Sequence, residues 1–180
     1  MPTTFFLRDL KIGVLNSFHL TEQRGDGAAT ASANTTAGGT WIPIGTWSSK
    51  PLEPFIMENS ISIRIRAAES NPAANASIEC RLYRWSRQSG LSSILTLKQA
   101  SELTTTDSAV NLSGVPSQTT FGSGDTLVIE VGITNAPGST MGDARSVTIS
   151  YNGPSENNVG DSFITISETA NQKDRVVTTE

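Results

Sequence analysis

The sequence predicts an all-β protein, an antiparallel β-sandwich or jelly roll of about nine to ten short strands. Short segments with alternating apolar and polar residues recur along the chain, and turn residues separate them at close spacing. Ser and Thr supply 45 of the 180 residues, whereas charged residues supply only 17%. That composition excludes a coiled coil or a long helical rod, which would be rich in charged and helix-forming residues at heptad spacing.

The clearest strand signal lies in residues 60–67, where isoleucines occupy every second position and Arg64 and Arg66 occupy the positions between. Such a period of two places the isoleucines on one face and the arginines on the other. Residues 77–85 alternate in the same way, and a loop containing proline connects the two segments. The pattern predicts an antiparallel hairpin in which Arg64 and Arg66 meet Glu79 on the solvent face.

Eight further segments have the character of strands. Turns rich in glycine, proline, asparagine and serine separate many of them. These predicted strands are residues 5–7, 14–20, 40–47, 55–57, 91–97, 125–134, 145–151 and 162–167.

The predicted organisation is one β-sandwich domain over residues 1–168, which is long enough to bury a sizeable core. Residues 24–39 contain no large apolar side chain and are expected to form a flexible surface loop. Residues 169–180 are polar apart from Val176 and Val177, and are expected to form a C-terminal arm.

Composition also excludes several kinds of site. No stretch approaches the ~18 apolar residues of a transmembrane helix, and charges from Arg8 onward interrupt the apolar run that a signal peptide needs. Thirteen basic residues face 17 acidic ones without forming a block, so a nucleic-acid partner is not expected. A single His and a single Cys leave no basis for a metal site of those ligands or for an internal disulfide. No metal or cofactor is therefore expected.

No catalytic motif stands out. His19 lies in an alternating segment and is interpreted as a structural or surface residue. Asp125 and Asp161 each follow a glycine and precede a strand, so we interpret them as turn-setting residues. The tripeptide Arg24-Gly25-Asp26 matches an adhesion motif but is interpreted as a chance match. The chain is expected not to be an enzyme; the enzymatic alternative is a glycosidase that uses two carboxylates.

Five aromatic residues leave several roles open. Trp41, Trp47, Tyr83, Trp85 and Tyr151 suit a sugar-stacking platform, a protein interface or the core of the sandwich. The candidate interface residues are Phe5, Phe6, Trp41, Trp47, Val176 and Val177.

Several short segments between residues 81 and 168 carry a resemblance to a known group of proteins. They are Arg81-Leu-Tyr-Arg-Trp, the stretch 121–131, Tyr151-Asn-Gly-Pro-Ser, and the stretch that begins Gly160-Asp-Ser-Phe. Together they resemble the small β-sandwich virion proteins of tailed bacteriophages. The resemblance implies a structural protein with no catalytic residues, made in the host bacterial cytoplasm and located on the capsid exterior.

The resulting functional expectation is a capsid cement or decoration protein that binds and stabilises the phage shell. Its expected partners are the major capsid protein and further copies of itself. Capsid geometry favours a trimer, and a dimer is the alternative. The alternative function is a carbohydrate- or receptor-binding module, in which the aromatic residues stack on the ligand, in a tail-associated position. No membrane partner is expected.

Overall fold

A computed structural model describes residues 1–11, 17–35, 40–135, 145–155 and 160–173. Within these ranges the chain forms thirteen β-strands and one short 3-10 helix, Pro72–Ala74. The strands are β1 (Thr3–Lys11), β2 (Ser17–Thr21), β3 (Ala29–Asn34), β4 (Trp41–Ser49), β5 (Phe55–Met57), β6 (Ile61–Glu69), β7 (Ala76–Ser86), β8 (Gly90–Lys98), β9 (Ser108–Gly114), β10 (Thr119–Phe121), β11 (Thr126–Asn135), β12 (Ser146–Tyr151) and β13 (Phe163–Ile166).

The architecture is an all-β sandwich, which confirms the predicted fold class. Eleven strands belong to one hydrogen-bonded system with the order β3-β12-β6-β13-β1-β2-β4-β11-β7-β8, and β9 pairs with β6 beside this path. Strands β5 and β10 form a separate two-stranded sheet. Strands β2 and β4 are parallel, and the other ladders between the described strands are antiparallel. The described residues include no helix long and apolar enough to cross a membrane.

The core contains the apolar positions that the alternation predicts. Ile61, Ile63 and Ile65 of β6 are at most 1% exposed, and Ile129 and Val131 of β11 are fully buried in the same cluster. Full burial of one such side chain stabilises the fold by about 1.5–3 kcal/mol relative to exposure. The opposite face of β6 carries Ser62, Arg64 and Arg66, and that of β11 carries residues such as Val128, Glu130 and Gly132.

The predicted hairpin between residues 60–67 and 77–85 is wrong. Strand β6 pairs with β9, β12 and β13, whereas β7 pairs with β8 and β11. The loop that carries the 3-10 helix leads the chain from one set of strands to the other, so both strands contribute to one core without pairing. Arg66 consequently contacts Asp107 at 3.0 Å, and Glu79 contacts Arg81 at 2.7 Å.

The predicted loop 24–39 contains a strand. Residues 29–34 form β3, which pairs with β12 from Tyr151↔Ala29 to Ser146↔Asn34. Its alanines at every second position are partly buried against the core, so small side chains are enough to place this strand. Residues 36–39 lie outside the described part of the chain.

The first residues of the predicted C-terminal arm pack against the domain. Ala170 is fully buried, and Gln172 forms an isolated β-bridge with Leu52. The Lys173 N–H donates to the Pro51 carbonyl at 2.8 Å. Val176 and Val177, two of the candidate interface residues, lie outside the described residues.

Candidate functional site

The candidate site is the outer face of β4, β7 and β11, the side of these strands that points away from the core. On the inner side of β7, Ile78, Cys80 and Leu82 are fully buried. The alternating positions between them therefore point outward. We call Trp41, Glu79, Arg81, Tyr83 and Glu130 the outer-face cluster.

Arg81 holds the centre of this cluster. Its guanidinium carbon lies 3.9 Å from the centroid of the Trp41 ring, a cation–π distance. Its Nε donates to Glu79 Oε1 at 2.7 Å, and Glu79 is only 7% exposed. Burial disfavours the Arg81 charge, but the Glu79 carboxylate and hydrogen bonding with Tyr83 outweigh it and raise the Arg81 pKa. The positive charge is thereby fixed over the indole.

Gly132 lets Trp41 approach β11. A Cβ at this position would lie 2.7 Å from Trp41 Nε1 and 2.5 Å from the Ile42 carbonyl oxygen. The indole is therefore held between the glycine backbone and the Arg81 guanidinium. Its Nε1 is buried and has no hydrogen-bond partner in the part of the chain that the structure describes.

Tyr83 and Glu130 extend the network across the β7–β11 ladder. Val128 pairs with Tyr83, and Glu130 pairs with Arg81, so these side chains share the outer face. Burial raises the pKa of Tyr83, and its hydrogen bond to the Glu130 carboxylate raises it further. Tyr83 therefore stays protonated and donates to Glu130.

The same face continues into an exposed apolar pair. Trp85 pairs with Leu91 across the β7–β8 ladder. Their exposed fractions are 43% and 52%. Because exposed Trp and Leu side chains side by side form an apolar patch next to a fixed charge network, this face has the composition of a binding surface.

The other aromatic residues divide between core and surface. Trp47 and Phe5 are fully buried and Tyr151 is 2% exposed, so the interface role proposed for Trp47 and Phe5 is wrong. Phe6 is partly exposed; it packs edge-on against Phe163. Because Arg81 covers the face of Trp41, a sugar ring has no open indole face there to stack on.

His19 does not form a catalytic triad within the described residues. The parallel register places His19 opposite Ser48, but the Ser48 hydroxyl donates to the Ser49 carbonyl. His19 Nδ1 is buried and lacks a hydrogen-bond partner among the described residues. Burial, followed by the nearby Lys50 charge, lowers its pKa. In the part of the chain that the structure describes, no carboxylate therefore accepts a hydrogen bond from Nδ1 to orient the imidazole as a general base.

Cys80 is equally unsuited to nucleophilic chemistry. The residue is fully buried. Desolvation, and secondarily the Glu79 charge, raise the pKa of its thiol. It therefore stays protonated and packs as a small apolar side chain. The described residues also contain no group of three or more His, Cys, Asp or Glu side chains that would hold a metal ion.

The two candidate turn aspartates have different roles. Asp125 accepts a hydrogen bond from the Gly122 N–H at 2.8 Å, which confirms its predicted role in the turn. Asp161 is 1% exposed and forms ion pairs with Arg24 and Arg64. Asp161 thus belongs to a buried charge network, which the turn prediction did not include.

The tripeptide Arg24-Gly25-Asp26 takes part in ion pairs within the domain. The Arg24 guanidinium lies 4.5 Å from the centroid of the Phe6 ring and pairs with Asp161. Asp26 pairs with Arg8 at 3.2 Å. The arginine of the tripeptide is therefore used within the domain.

No protein-family model matches the chain, and no curated protein matches it. Solved structures do match. A CocE/NonD family hydrolase from Staphylococcus aureus superposes with a TM-score of 0.65 at 12% identity, over 92% of this chain and 36% of the hydrolase.

Two further enzymes match to a similar extent. An aminopeptidase from a marine sediment Thaumarchaeota archaeon gives a TM-score of 0.61 at 10% identity, over 92% of this chain and 36% of the other. An α-amino acid ester hydrolase gives 0.60 at 11% identity, over 91% and 35%. The chain spans about a third of the length of these enzymes. At such identities the likeness establishes the fold alone.

The expected resemblance to phage virion proteins is not tested by a further, weak match to a viral protein. The VP2 protein of infectious bursal disease virus also matches, but at a TM-score of 0.37 and 10% identity. This likeness to a viral protein is confined to a broad β-fold similarity.

The comparisons correct two functional expectations. The solved structures that share this fold at TM-scores of 0.60–0.65 are hydrolases and an aminopeptidase, which contradicts the expected capsid cement function and the expectation that the chain is not an enzyme. The sequence pointed elsewhere because its short turn motifs are shared by many β-sandwiches, whereas the strand arrangement is not visible in local motifs.

Proposed function

We propose that this chain is the β-sandwich domain of a hydrolase that cleaves ester or amide bonds, working beside a catalytic unit. The observation that carries the proposal is the superposition of 92% of the chain on about a third of a CocE/NonD family hydrolase. The ester hydrolase and the aminopeptidase support the same assignment and suggest the bond types.

The described side chains suggest that the catalytic residues lie in the catalytic unit and not in this domain. Among the described residues His19 Nδ1 has no hydrogen-bond partner, and Cys80 is buried and protonated. The nucleophile and base would therefore belong to the catalytic unit, either elsewhere on the same polypeptide or on a partner. This chain would supply a rigid surface that positions the unit or shapes access to it.

The outer face is the surface best suited to that contact. Trp, Tyr and Arg side chains carry most of the binding energy in protein interfaces, and Trp85, Tyr83 and Arg81 lie together on it. The Trp85–Leu91 pair supplies apolar area that is exposed in the described chain. The paired charges of Glu79 and Arg81 supply orientation at little desolvation cost, because they are already satisfied.

The experiment is photo-cross-linking from this face in the cells that make the protein. A photoreactive amino acid replaces Leu91, and a control places it at Thr30, which is exposed on β3. The cross-linked material is assayed with p-nitrophenyl butyrate and L-alanine p-nitroanilide. We expect hydrolysis to co-purify with the Leu91 product and not with the Thr30 product.

Two results would overturn the proposal. One is a Leu91 product that hydrolyses neither compound; the other is no cross-link from Leu91 to any polypeptide. If the catalytic unit lies on the same polypeptide, the cross-link is intramolecular and mass spectrometry identifies the joined peptides.

A further inference from the structure

Strand β9 has one free edge. It pairs with β6 through an unbroken register from Ile61↔Gly114 to Ala67↔Ser108. No other described strand pairs with it. Its second edge therefore carries backbone N–H and C=O groups that no described strand pairs with, and such groups are a template for another strand.

This edge lacks the features that usually protect a sheet. Edge strands are commonly guarded by charged side chains, by proline or by a β-bulge. Strand β9 contains none of these along its length, Ser108–Gly114. Strand β8, the neighbouring edge, carries Lys98, and its ladder with β7 has a register irregularity between Leu82 and Tyr83 of β7. Strand β9 is thus open to pairing where β8 is guarded.

The side of the sandwich between these two edges is also open. A groove of about 470 Å³ lies between β8 and β9, with Val110 and Leu112 on its β9 wall. At Gly114 the two strands meet, since a Cβ there would lie 2.7 Å from Leu97 Cδ2. The sandwich therefore closes tightly at the Gly114 end, while along the rest of β9 the groove leaves Val110 and Leu112 only 5% and 8% exposed.

We propose that two copies of this chain pair through β9 in antiparallel fashion, around a twofold axis at Asn111. Directly opposite residues in an antiparallel pair share a face. Val110 then meets Leu112 of the other copy on the core side, and the two Asn111 side chains meet on the solvent side. No like charges oppose each other, so the strand is complementary to itself. The proposal stands independently of the hydrolase assignment.

The same geometry fixes the number of copies. A twofold pairing of identical edges uses both edges completely, so the assembly closes at two. The proposed assembly is therefore the dimer, which was the alternative to the expected trimer.

The test is the mass of the purified chain by light scattering, measured across a dilution series. The expected mass is twice 19.1 kDa. In N111K two lysines face each other at the axis, which weakens association about fivefold or more. The control T30K adds the same charge on exposed β3 and leaves the dimer unchanged.

A cysteine cross-link tests the register. In N111C the two α-carbons at the axis lie about 4.5–5.5 Å apart, a separation that a disulfide spans. Mild oxidation is expected to give a covalent dimer, and T30C is expected to give none. Cys80 does not interfere because it is fully buried. Circular dichroism confirms that each variant is folded.

A wild-type mass of 19.1 kDa at every concentration would overturn the proposal. So would a trimer, a dimer that N111K leaves intact, or a folded N111C that yields no covalent dimer. A foreign extended segment bound along β9 would also overturn it, and mass spectrometry of the purified protein would detect that segment.

Discussion

The guanidinium of Arg81 lies over the ring of Trp41 at 3.9 Å from its centroid, although β11 separates the strands that carry the two residues. The contact crosses β11 at Gly132, where the absence of a side chain leaves room for the indole. It covers the Trp41 face and fixes a positive charge beside Glu79. The outer face is consequently preorganised before anything binds to it.

Gly132→Ala is expected to disrupt this arrangement. The added Cβ would lie 2.5 Å from the Ile42 carbonyl oxygen and 2.7 Å from the Trp41 ring, so the backbone or the indole must shift. We expect a loss of about 1–3 kcal/mol in the free energy of unfolding, as for overpacked sites. Urea denaturation measures it. Gly27→Ala is the control, since nothing lies within 4 Å of its Cβ, and an equal loss in both variants would contradict the explanation.

Asp161→Asn is expected to be strongly destabilising. Asp161 is 1% exposed and contacts Arg24 and Arg64. Removing its charge takes the buried carboxylate away from the two partly buried guanidinium groups, at a cost of about 3–5 kcal/mol.

The matched control is Asp26→Asn, because Asp26 also pairs with an arginine but its side chain is 92% exposed. Exposed pairs contribute little, so the urea midpoint should stay at the wild-type value. If the two variants unfold alike, the buried network does not stabilise the fold.

Trp47→Ala and Trp85→Ala are expected to differ sharply. Trp47 is fully buried, and its ring centroid lies 5.4 Å from that of Phe18 and 5.2 Å from that of Tyr151. Its removal should cost about 3–5 kcal/mol. Trp85 is 43% exposed, and its removal should cost about 0.5 kcal/mol or less. Thermal unfolding by circular dichroism distinguishes them; comparable losses would place Trp85 in the core.

Stability is expected to depend on pH through Glu69. This residue is 3% exposed. Burial raises its pKa, a hydrogen bond from Ala76 opposes the shift, and the Glu102 charge adds to it. Because the pKa is raised in the folded state, the protonated Glu69 carboxyl group stabilises the fold. This stabilisation is fully present below the ordinary pKa of 4.5 and is lost as the pH rises through the pKa of the folded state. Glu69→Gln should therefore be more stable than wild type at neutral pH and equal to it in acid.

Glu168 supplies a control of opposite sign. Burial raises its pKa, but hydrogen bonds from the Glu58 N–H and from the N–H and side chain of Asn59 outweigh burial and lower it. The ionised Glu168 carboxylate therefore stabilises the fold. This stabilisation is present above the ordinary pKa of 4.5 and is lost as the pH falls through the pKa of the folded state. Glu168→Gln should be less stable than wild type at neutral pH only. Urea midpoints that differ from wild type by the same amount at every pH would contradict both assignments.

The strands that sequence could predict are those with large apolar residues in alternation. The isoleucines of β6 and the run through β11 carry this signal directly. Strands β3, β9 and β10 were missed because Ala, Ser, Thr and Asn dominate them. In these strands, pairing with neighbours outweighs local propensity.

Strand pairing and the geometry of the site could not be predicted from local sequence patterns. Residues 60–67 and 77–85 read as a hairpin because they are consecutive, but the Pro72–Ala74 turn separates their partners. The sequence could show that Glu79, Arg81 and Tyr83 lie on the same face of their strand, because they occupy alternate positions. Their contacts with Trp41 and Glu130 were not, because these depend on the order β4-β11-β7.

The most direct test of the hydrolase assignment is the esterase activity retained by the tagged chain when it is isolated from its own cells. Wild type and Thr30→Asp are expected to retain hydrolysis of p-nitrophenyl butyrate. Leu91→Asp places a charge in the exposed apolar pair with Trp85 and is expected to lose at least about tenfold of that activity, equivalent to ~1.4 kcal/mol of contact. Equal activity in Leu91→Asp and wild type, or no activity with any of the three, would contradict the assignment.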